Sequence, residues 1–380
     1  MYTQPVKIVF VLDELSHSGI ATVYMHWAAE IAAHGMPVAL FCQKNAQAGV
    51  AAGLPAGVEV VAAGSRRVLT ATPALRRYLA KQPAHTVVVA GGFTAFYAAL
   101  CKPRRMPLWV MMHAAPQKGY HLSRQHGWNT SQTLQYSLMR WATRAATHVS
   151  AVSHGVAAET AQWANLPPHR VHTLYNPACV PLPSPLPTAP HPWLANPKLH
   201  TFVSIGRLER TKNFPLLLTS FAAAYAQNNT LRLLIAGEGS LRATLTAQLN
   251  QLFPMADKPV QLIGQVRPPQ AYMAPACAYV SSSQLEAFGN VLVEALSTGV
   301  PVIATDCPYG PREILADGTY GTLVPNHDAA ALTAALLTAA QTPRTPYATQ
   351  ARITRAHAFT AQALWPEFLK NLHALESSLP

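Results

Sequence analysis

Two glutamates with seven residues between them, Glu286 and Glu294, stand out in a chain that has only 16 acidic residues in 380. The segment between them contains Phe288, Gly289 and Asn290 and precedes a run of helical composition. A helix that begins near Asn290, a favoured cap residue, leaves backbone amides at its start available to an anion. Gly289 has no side chain, so a ligand can approach the backbone closely.

The two glutamates extend this arrangement. Glu294 lies about one turn into the predicted helix, and because helical side chains tilt towards the N-terminus, its carboxylate reaches a ligand held by the amides. Glu286 reaches the same ligand from the preceding loop. Carboxylates that accept hydrogen bonds from hydroxyls, beside amides that bind phosphate, fit a nucleotide sugar. A simpler interpretation makes Glu286 a solvated loop residue and Glu294 a partner of the helix dipole.

A second segment, SIGRLERTKNF, places two cations after another apolar run. Gly206 allows a tight turn, Arg207 and Lys212 flank the loop, and Asn213 is suited to cap the next helix. Two cations at a strand end suit a diphosphate leaving group, whose charge grows as the glycosidic bond breaks. Since the chain has no DxD-like acidic pair, we expect these cations, and not a metal ion, to stabilise that charge. The alternative is an exposed loop with ordinary basic residues.

The first half of the chain offers two weaker candidates. Gly19 opens a predicted helix, where its amide would face a phosphate. His113 ends the strand-like run LWVMMH, where an imidazole would bind a sugar hydroxyl or assist proton transfer. The alternatives are a glycine at an ordinary helix start and a structural histidine.

The stretch from Arg104 to Arg144 mixes cations with aromatic residues. Its members are Arg104, Arg105, Trp109, Lys118, Tyr120, Arg124, Trp128, Tyr136, Arg140, Trp141 and Arg144. This mixture suits an anionic membrane surface. It equally suits single-stranded nucleic acid, or a solvated face with partly buried aromatics.

The elements that must position these residues alternate along the chain. Short apolar runs are separated by helical segments, which predicts parallel sheets covered on both faces. A segment with eight prolines, from Asn176 to His200, interrupts the alternation and reads as a linker. We therefore predict two Rossmann-like doubly wound domains, at 1–178 and 201–355, a linker at 179–200 and a final helix at 356–380. In such folds ligands bind at the carboxyl ends of strands, here in an interdomain cleft.

The composition limits the class of protein and the kind of partner that this chain can have. Charged residues make up 12% of the chain and the net charge is +12, of which residues 1–178 carry +10. A basic half predicts an anionic partner. The five cysteines include no CxxC pair, so neither a disulfide framework nor a zinc site is indicated. No signal-peptide pattern or membrane-length apolar run is evident, so we expect a cytoplasmic protein, with peripheral contact at the inner membrane face left open.

The order of several motifs resembles the retaining glycosyltransferases of family 4, which have the GT-B fold. The matching segments are VSAVSHGV, LYNP, GRLERTKNF, LLIAGEGSLR, VQLIGQV, EAFGNVLVEALSTGVPVIATDCPYGPREIL and YGTLVP. The resemblance implies that Glu294 binds the nucleotide ribose and Glu286 the donor sugar. It further implies that Arg207 and Lys212 bind the diphosphate and that His113 lies near the transferred sugar. The second domain would hold the nucleotide-sugar donor, the first domain would shape the acceptor site, and the final helix would cross back to the first domain.

The resemblance also implies a reaction, namely transfer of a hexose or N-acetylhexosamine, from a UDP-sugar, to a lipid-linked saccharide in cell-surface glycan synthesis. No cofactor beyond the donor and no nucleic-acid partner is expected. Two departures from the family pattern are Ser18 before Gly19, and Ala287 where glycine is common. Two alternatives stay open: a nucleotide-sugar isomerase on the same fold, and a non-catalytic nucleic-acid binder that uses the basic first domain.

Overall fold

The computed structural model describes residues 6–16, 19–65, 68–124, 130–179, 182 and 190–376. These residues divide into two compact units. The first is formed by the chain up to Pro177 together with the chain from Ala361, and the second by Ala178–Thr360. The sequence prediction places the corresponding changes at residues 178 and 356.

The first unit is built on a parallel sheet with the order β3-β2-β1-β4-β5-β6-β7. Its strands are β1 (Lys7–Leu12), β2 (Val38–Cys42), β3 (Val58–Ala62), β4 (Thr86–Ala90), β5 (Leu108–Met112), β6 (His148–Ala151) and β7 (Val171–Thr173). The order reverses between β1 and β4, so the loops that follow these strands diverge and leave a crevice at the carboxyl edge.

Helices connect the strands of this unit. They are α1 (Gly19–Ala33), α2 (Ala48–Ala51), α3 (Val68–Ala80), α4 (Phe93–Cys101), α5 (Pro116–Arg124), α6 (Thr130–Ala145) and α7 (His154–Ala164). The central strands β2, β4 and β5 are buried at every position, as expected for continuous apolar strands covered on both faces. The edge strand β3 is only partly buried, and its residue Glu59 is exposed.

The second unit repeats the architecture around a sheet with the order β10-β9-β8-β11-β12-β13. Its strands are β8 (His200–Ile205), β9 (Leu231–Ala236), β10 (Val260–Gly264), β11 (Ala278–Ser281), β12 (Val302–Asp306) and β13 (Thr322–Pro325). Its helices are α8 (Pro192–Ala195), α9 (Phe214–Tyr225), α10 (Arg242–Leu252), α11 (Gln270–Met273), α12 (Asn290–Ser297), α13 (Gly310–Ile314), α14 (Ala329–Gln341) and α15 (Pro346–His357). Two parallel sheets with alternating helices confirm the predicted α/β class.

Part of the predicted linker is folded. Helix α8 belongs to the second unit, Leu194 is buried, and the Thr201 hydroxyl donates to the carbonyl of Trp193 over 2.9 Å. The remaining linker positions 180, 181 and 183–189 lie outside the described residues.

The last helix, α16 (Ala361–Glu376), packs on the first unit. The ring of Phe368 lies 4.6 Å from that of Trp27 and 5.2 Å from that of Trp109. The buried Asn371 Oδ1 lies 2.7 Å from His148 Nε2. Trp109 is therefore a fully buried core residue whose indole donates to Ser150, and its assignment to a basic and aromatic surface is wrong.

Candidate functional site

The strongest candidate site lies where the strand order of the second unit reverses. β8 and β11 are adjacent in the sheet, although they are distant in sequence. The loop after β8 carries Arg207 and Lys212, and the loop after β11 carries Glu286. Because the carboxyl ends of parallel strands meet at one edge, the topology brings the two predicted loops together.

Lys212 and Glu286 form an ion pair across this edge. Their side chains are only 20% and 15% exposed. The hydroxyl of Ser283 also donates to Glu286 Oε1 over 2.9 Å. The Glu286 amide donates to the carbonyl of Pro308 over 2.7 Å, and its carbonyl accepts from Tyr309 over 2.6 Å. The loop that carries Glu286 is thus fixed by its backbone as well as by its side chain.

Three glycines allow the strand-end loops to pack this closely. A Cβ atom on Gly206 would lie 3.1 Å from Lys212 Cε, so the glycine leaves room for the lysine side chain. At Gly237, φ is +141° and a Cβ would lie 1.9 Å from the carbonyl oxygen of Gly206. At Gly310 a Cβ would lie 1.7 Å from the carbonyl oxygen of Phe288. The sequence analysis predicts no role for Gly237, Gly310 or Ser283. The glycines in the segments GEGS and CPYGP are the sequence feature that could have indicated these close backbone contacts.

Glu294 lies in α12 near the same pair. Burial raises the pKa of its carboxyl group to about 7, and the charge of Lys212 partly opposes this rise. Among the residues that the structure describes, no side chain forms a hydrogen bond or ion pair with the Glu294 carboxylate. A recessed carboxyl group without a protein partner is suited to accept hydrogen bonds from ligand hydroxyls.

The start of α12 differs by one residue from the sequence prediction. Gly289 occupies the cap position with φ at +110°, and Asn290 is the first helical residue, so the proposed cap role of Asn290 is wrong. Glycine is favoured there because other residues rarely adopt this conformation. The ring of Phe288 is buried and lies edge-on to Phe359 at 5.6 Å.

Arg207 lies on the same loop as Lys212, but its side chain is exposed at the rim. Between them, the carboxylate of Glu209 accepts hydrogen bonds from the amide and hydroxyl of Ser240, at 3.0 and 2.8 Å. These bonds, helped by the charge of Arg207, lower the pKa of Glu209. Asn213 occupies the cap position of α9, as predicted, but its backbone is left-handed and its side chain makes no cap hydrogen bond.

In the first unit, His113 directly follows β5. A Cβ on Gly91 would lie 2.6 Å from the carbonyl oxygen of Met111 and 3.0 Å from His113 Cδ2, so the glycine makes space for the imidazole. The ring packs edge-on against Tyr24 at 5.2 Å. Burial lowers the pKa of His113 to about 4, and the side chain of Asn176 partly opposes this lowering.

Both ring nitrogens of His113 are buried, and among the described residues none forms a hydrogen bond of normal geometry with them. A neutral imidazole with unsatisfied nitrogens is equipped to bind a hydroxyl group. Gly19 is the first residue of α1 and is exposed, whereas Ser18 lies outside the described residues. The phosphate role of Gly19 stays a prediction.

The four arginines predicted to meet a membrane are all exposed. Arg104 and Arg105 lie in the turn before β5, and Arg140 and Arg144 lie on α6, which leads into β6. Elements that immediately precede parallel strands end at the amino edge of the sheet, so these residues share one side of the unit.

Apolar side chains accompany the arginines. Trp141 and Leu100 are 47% and 48% exposed, and the Trp141 ring contacts Phe96 at 6.0 Å. We call the surface formed by the four arginines, Leu100 and Trp141 the basic–aromatic face. Tyr120 and Tyr136 instead stack on each other at 4.2 Å. Trp128 and the side chain of Arg124 lie outside the described residues.

The described part of the chain offers neither a membrane-spanning helix nor a cluster of metal ligands. No helix there combines the length and apolar character needed to cross a membrane. No group of three or more His, Cys, Asp or Glu residues there is placed to hold a metal ion.

Two family models match most of the chain. The model described as "Glycosyl transferase 4-like domain" matches residues 18–177, and the model described as "Glycosyl transferases group 1" matches residues 200–342. The second match contains the site around Lys212, Glu286 and Glu294.

Individual proteins show the same similarity. An N-acetylgalactosaminyltransferase that acts on a diphospho-undecaprenol-linked saccharide in Campylobacter jejuni is 38% identical over 123 residues, which cover 32% of each chain. The gpi3 subunit of the phosphatidylinositol N-acetylglucosaminyltransferase of Schizosaccharomyces pombe is 33% identical over 170 residues, covering 44% of this chain and 36% of the relative. The chain thus spans about a third of the length of these curated relatives.

Among solved structures, HepE from Anabaena in complex with UDP-glucose superimposes with a TM-score of 0.74 at 17% identity. The match covers 97% of this chain and 100% of that protein. At this identity the similarity concerns the fold alone, and together with the two sheets it confirms the predicted GT-B class.

Proposed function

Because the chain belongs to the group 1, family 4-type glycosyltransferases, we propose that it transfers a hexose or N-acetylhexosamine from a UDP-sugar to a saccharide acceptor. The observation that carries this proposal is the pairing of Lys212 with Glu286 beside the partnerless carboxyl group of Glu294. A cation and two carboxyl groups at one strand edge match the phosphate and the hydroxyls of a nucleotide sugar.

In the proposed mechanism, Glu294 accepts hydrogen bonds from the ribose and Glu286 contacts the donor sugar. The bond between the anomeric carbon and the diphosphate oxygen breaks, and Lys212 and Arg207 stabilise the charge left on the diphosphate. The acceptor oxygen attacks the anomeric carbon from the same face from which the diphosphate leaves, and the acceptor proton passes to a phosphate oxygen. The anomeric configuration is thereby retained. His113, neutral at physiological pH, binds a sugar hydroxyl.

The acceptor is proposed to be lipid-linked, in cell-surface glycan synthesis. Relatives named for undecaprenol- or phosphatidylinositol-linked substrates support this assignment. The basic–aromatic face supports it independently, because exposed cations beside a tryptophan suit an anionic membrane surface. The protein would then work at the inner face of the membrane.

The decisive experiment has two steps. Thermal unfolding with UDP-, GDP- and ADP-sugars should show a rise in melting temperature with one donor class, since a ligand that binds the folded state stabilises it. The stabilising donor is then incubated with a polyprenyl-diphosphate-linked saccharide, and the product linkage is determined by NMR. Absence of any stabilising nucleotide sugar would overturn the proposal. Equal donor turnover without acceptor would favour an isomerase.

A further inference from the structure

Helix α5 begins three residues after His113 without a capping side chain of its own. Ala115 precedes its first residue, Pro116, and the Ala115 carbonyl accepts from the Gly119 amide over 3.0 Å. The first amides of a helix have no partner within the helix, and serine, threonine, aspartate or asparagine usually supplies one from the cap position. The alanine side chain has no acceptor to offer, so the amides of the first turn must be satisfied from elsewhere.

Glu159 of α7 supplies the missing acceptor. Its Oε1 atom accepts from the Gln117 amide over 2.6 Å and from the Lys118 amide over 3.2 Å. The residue is 6% exposed and lies 42 positions from Gln117 in sequence. A carboxylate at a helix N-terminus gains both from charge-assisted hydrogen bonds and from the helix dipole.

Glu159 follows a long stretch of the chain that has no acidic residue. Between Glu59 and Glu159 the chain contains twelve lysines and arginines and no aspartate or glutamate. The first acid after that stretch is placed inside the unit and not on its basic surface. A buried carboxylate is costly unless it is hydrogen-bonded, and the two amides of α5 meet that requirement.

Occupation by Glu159 has a chemical consequence for α5. A helix start with open amides is a binding site for anions. Here the side chain already fills that position, so α5 presents no phosphate site at its start. The helix instead is held in place at the carboxyl edge of the sheet, directly after the loop of His113.

We propose that Glu159 is a positioning residue for the acceptor side of the reaction. It fixes the start of α5, and thereby the 113–116 loop, by capping the helix from α7. This inference rests on the proposed function for its catalytic consequence, whereas the capping itself does not depend on it.

The test uses the full chain, and one of its variants restores a capping side chain at the position directly before α5. Glu159→Ala should lower acceptor-dependent transfer by about tenfold, because the loop that carries His113 is then no longer held in one position. Donor affinity should stay unchanged. Adding Ala115→Ser, which places a hydroxyl at the ordinary cap position, should restore most of the activity. Glu159→Gln, which keeps an acceptor oxygen, should stay close to wild type. The matched control is Thr345→Ala, which removes the cap of α15 in the second unit.

A readout without substrate separates this inference from the proposed function. Amide hydrogen exchange at Gln117 and Lys118 should accelerate in Glu159→Ala and recover in the Ala115→Ser double variant. Transfer loss that matches the Thr345→Ala control, or exchange and activity that Ala115→Ser does not restore, would overturn the positioning role. A wild-type protein that binds no nucleotide sugar would overturn the proposed function, and the exchange result would still decide the capping.

Discussion

The ammonium group of Lys212 is paired with the carboxylate of Glu286, although 74 positions separate them in the chain. The pair joins the loops that follow two adjacent strands of the second sheet. In the absence of donor, each group neutralises the other. Bound donor would replace this contact, with the lysine on the diphosphate and the carboxylate on the sugar.

Substitutions at this pair should separate nucleotide binding from transfer. Lys212→Met keeps the side-chain length but removes the charge, so UDP affinity should fall by about 30-fold. Glu286→Gln leaves Lys212 available to the diphosphate, so UDP affinity should stay at or above wild type while transfer falls strongly. Calorimetry with UDP and initial-rate measurements check both. A matching loss of UDP affinity in the two variants would contradict the assigned roles.

Donor affinity should depend on pH through Glu294. Burial raises the pKa of this group to about 7, and an ionised carboxylate accepts ribose hydrogen bonds better than the protonated form. Affinity for the nucleotide sugar should therefore fall by up to about tenfold for each pH unit below 7, and binding at pH 7 should release protons. Calorimetry in buffers of different ionisation enthalpy measures that release. Glu294→Gln should bind donor weakly and without this pH dependence; a pH-dependent Glu294→Gln would refute the assignment.

The same carboxyl group should affect stability with a defined sign. Its pKa is near 4.3 when unfolded and about 7 when folded, so the unfolded chain ionises first as pH rises. The resulting destabilisation of the folded state is absent below about pH 4, grows between about pH 4 and pH 7, and is complete above about pH 7. Glu294→Gln should thus raise the free energy of unfolding by about 1–3 kcal/mol at pH 8 and hardly at pH 4. Denaturant titrations at the two pH values measure this, and an equal effect at both would count against it.

His113 should act as a neutral group. With its pKa lowered to about 4, it keeps its ionisation state between pH 5.5 and 8, so kcat should show no step from this residue near pH 6.5. His113→Ala should lower kcat by about 100-fold while UDP affinity is unchanged. His373→Ala, at an exposed position on α16, is the control. A His113→Ala enzyme with normal kcat would show that the histidine is structural.

The basic–aromatic face should bind anionic bilayers. Replacing its four arginines by glutamine should weaken binding to phosphatidylglycerol vesicles by at least about tenfold at physiological salt, because each cation near such a surface contributes about 1 kcal/mol. A control variant that neutralises Arg76, Arg77, Lys198 and Lys258 removes the same charge elsewhere. Equal losses in the two variants would show that net charge, and not this face, is responsible. Salt-dependent binding to single-stranded DNA with none to vesicles would favour the nucleic-acid interpretation.

Several errors in the sequence interpretation share a cause. The neighbours of Trp109 in sequence suggest a surface aromatic residue, but Trp109 lies on a central strand where both faces are covered. Asn213 and Asn290 have residue types that favour caps, yet Asn213 holds its cap position with a left-handed backbone and no side-chain bond, and the cap position of α12 falls on Gly289. Local propensity indicates that a helix starts nearby; tertiary contacts select the residue and its conformation.

The sequence by itself determined the alternation of strands and helices, since continuous apolar runs and helical periodicity are local properties. It also marked the loops that carry Arg207, Lys212, Glu286 and Glu294. Only the tertiary structure decided which of these side chains meet, because strand order is set by long-range packing. It placed Lys212 on Glu286, left Arg207 at the rim and raised the pKa of Glu294 by burial. Likewise, nothing local to α5 reveals that its cap comes from Glu159, because that contact exists only when α7 packs beside it.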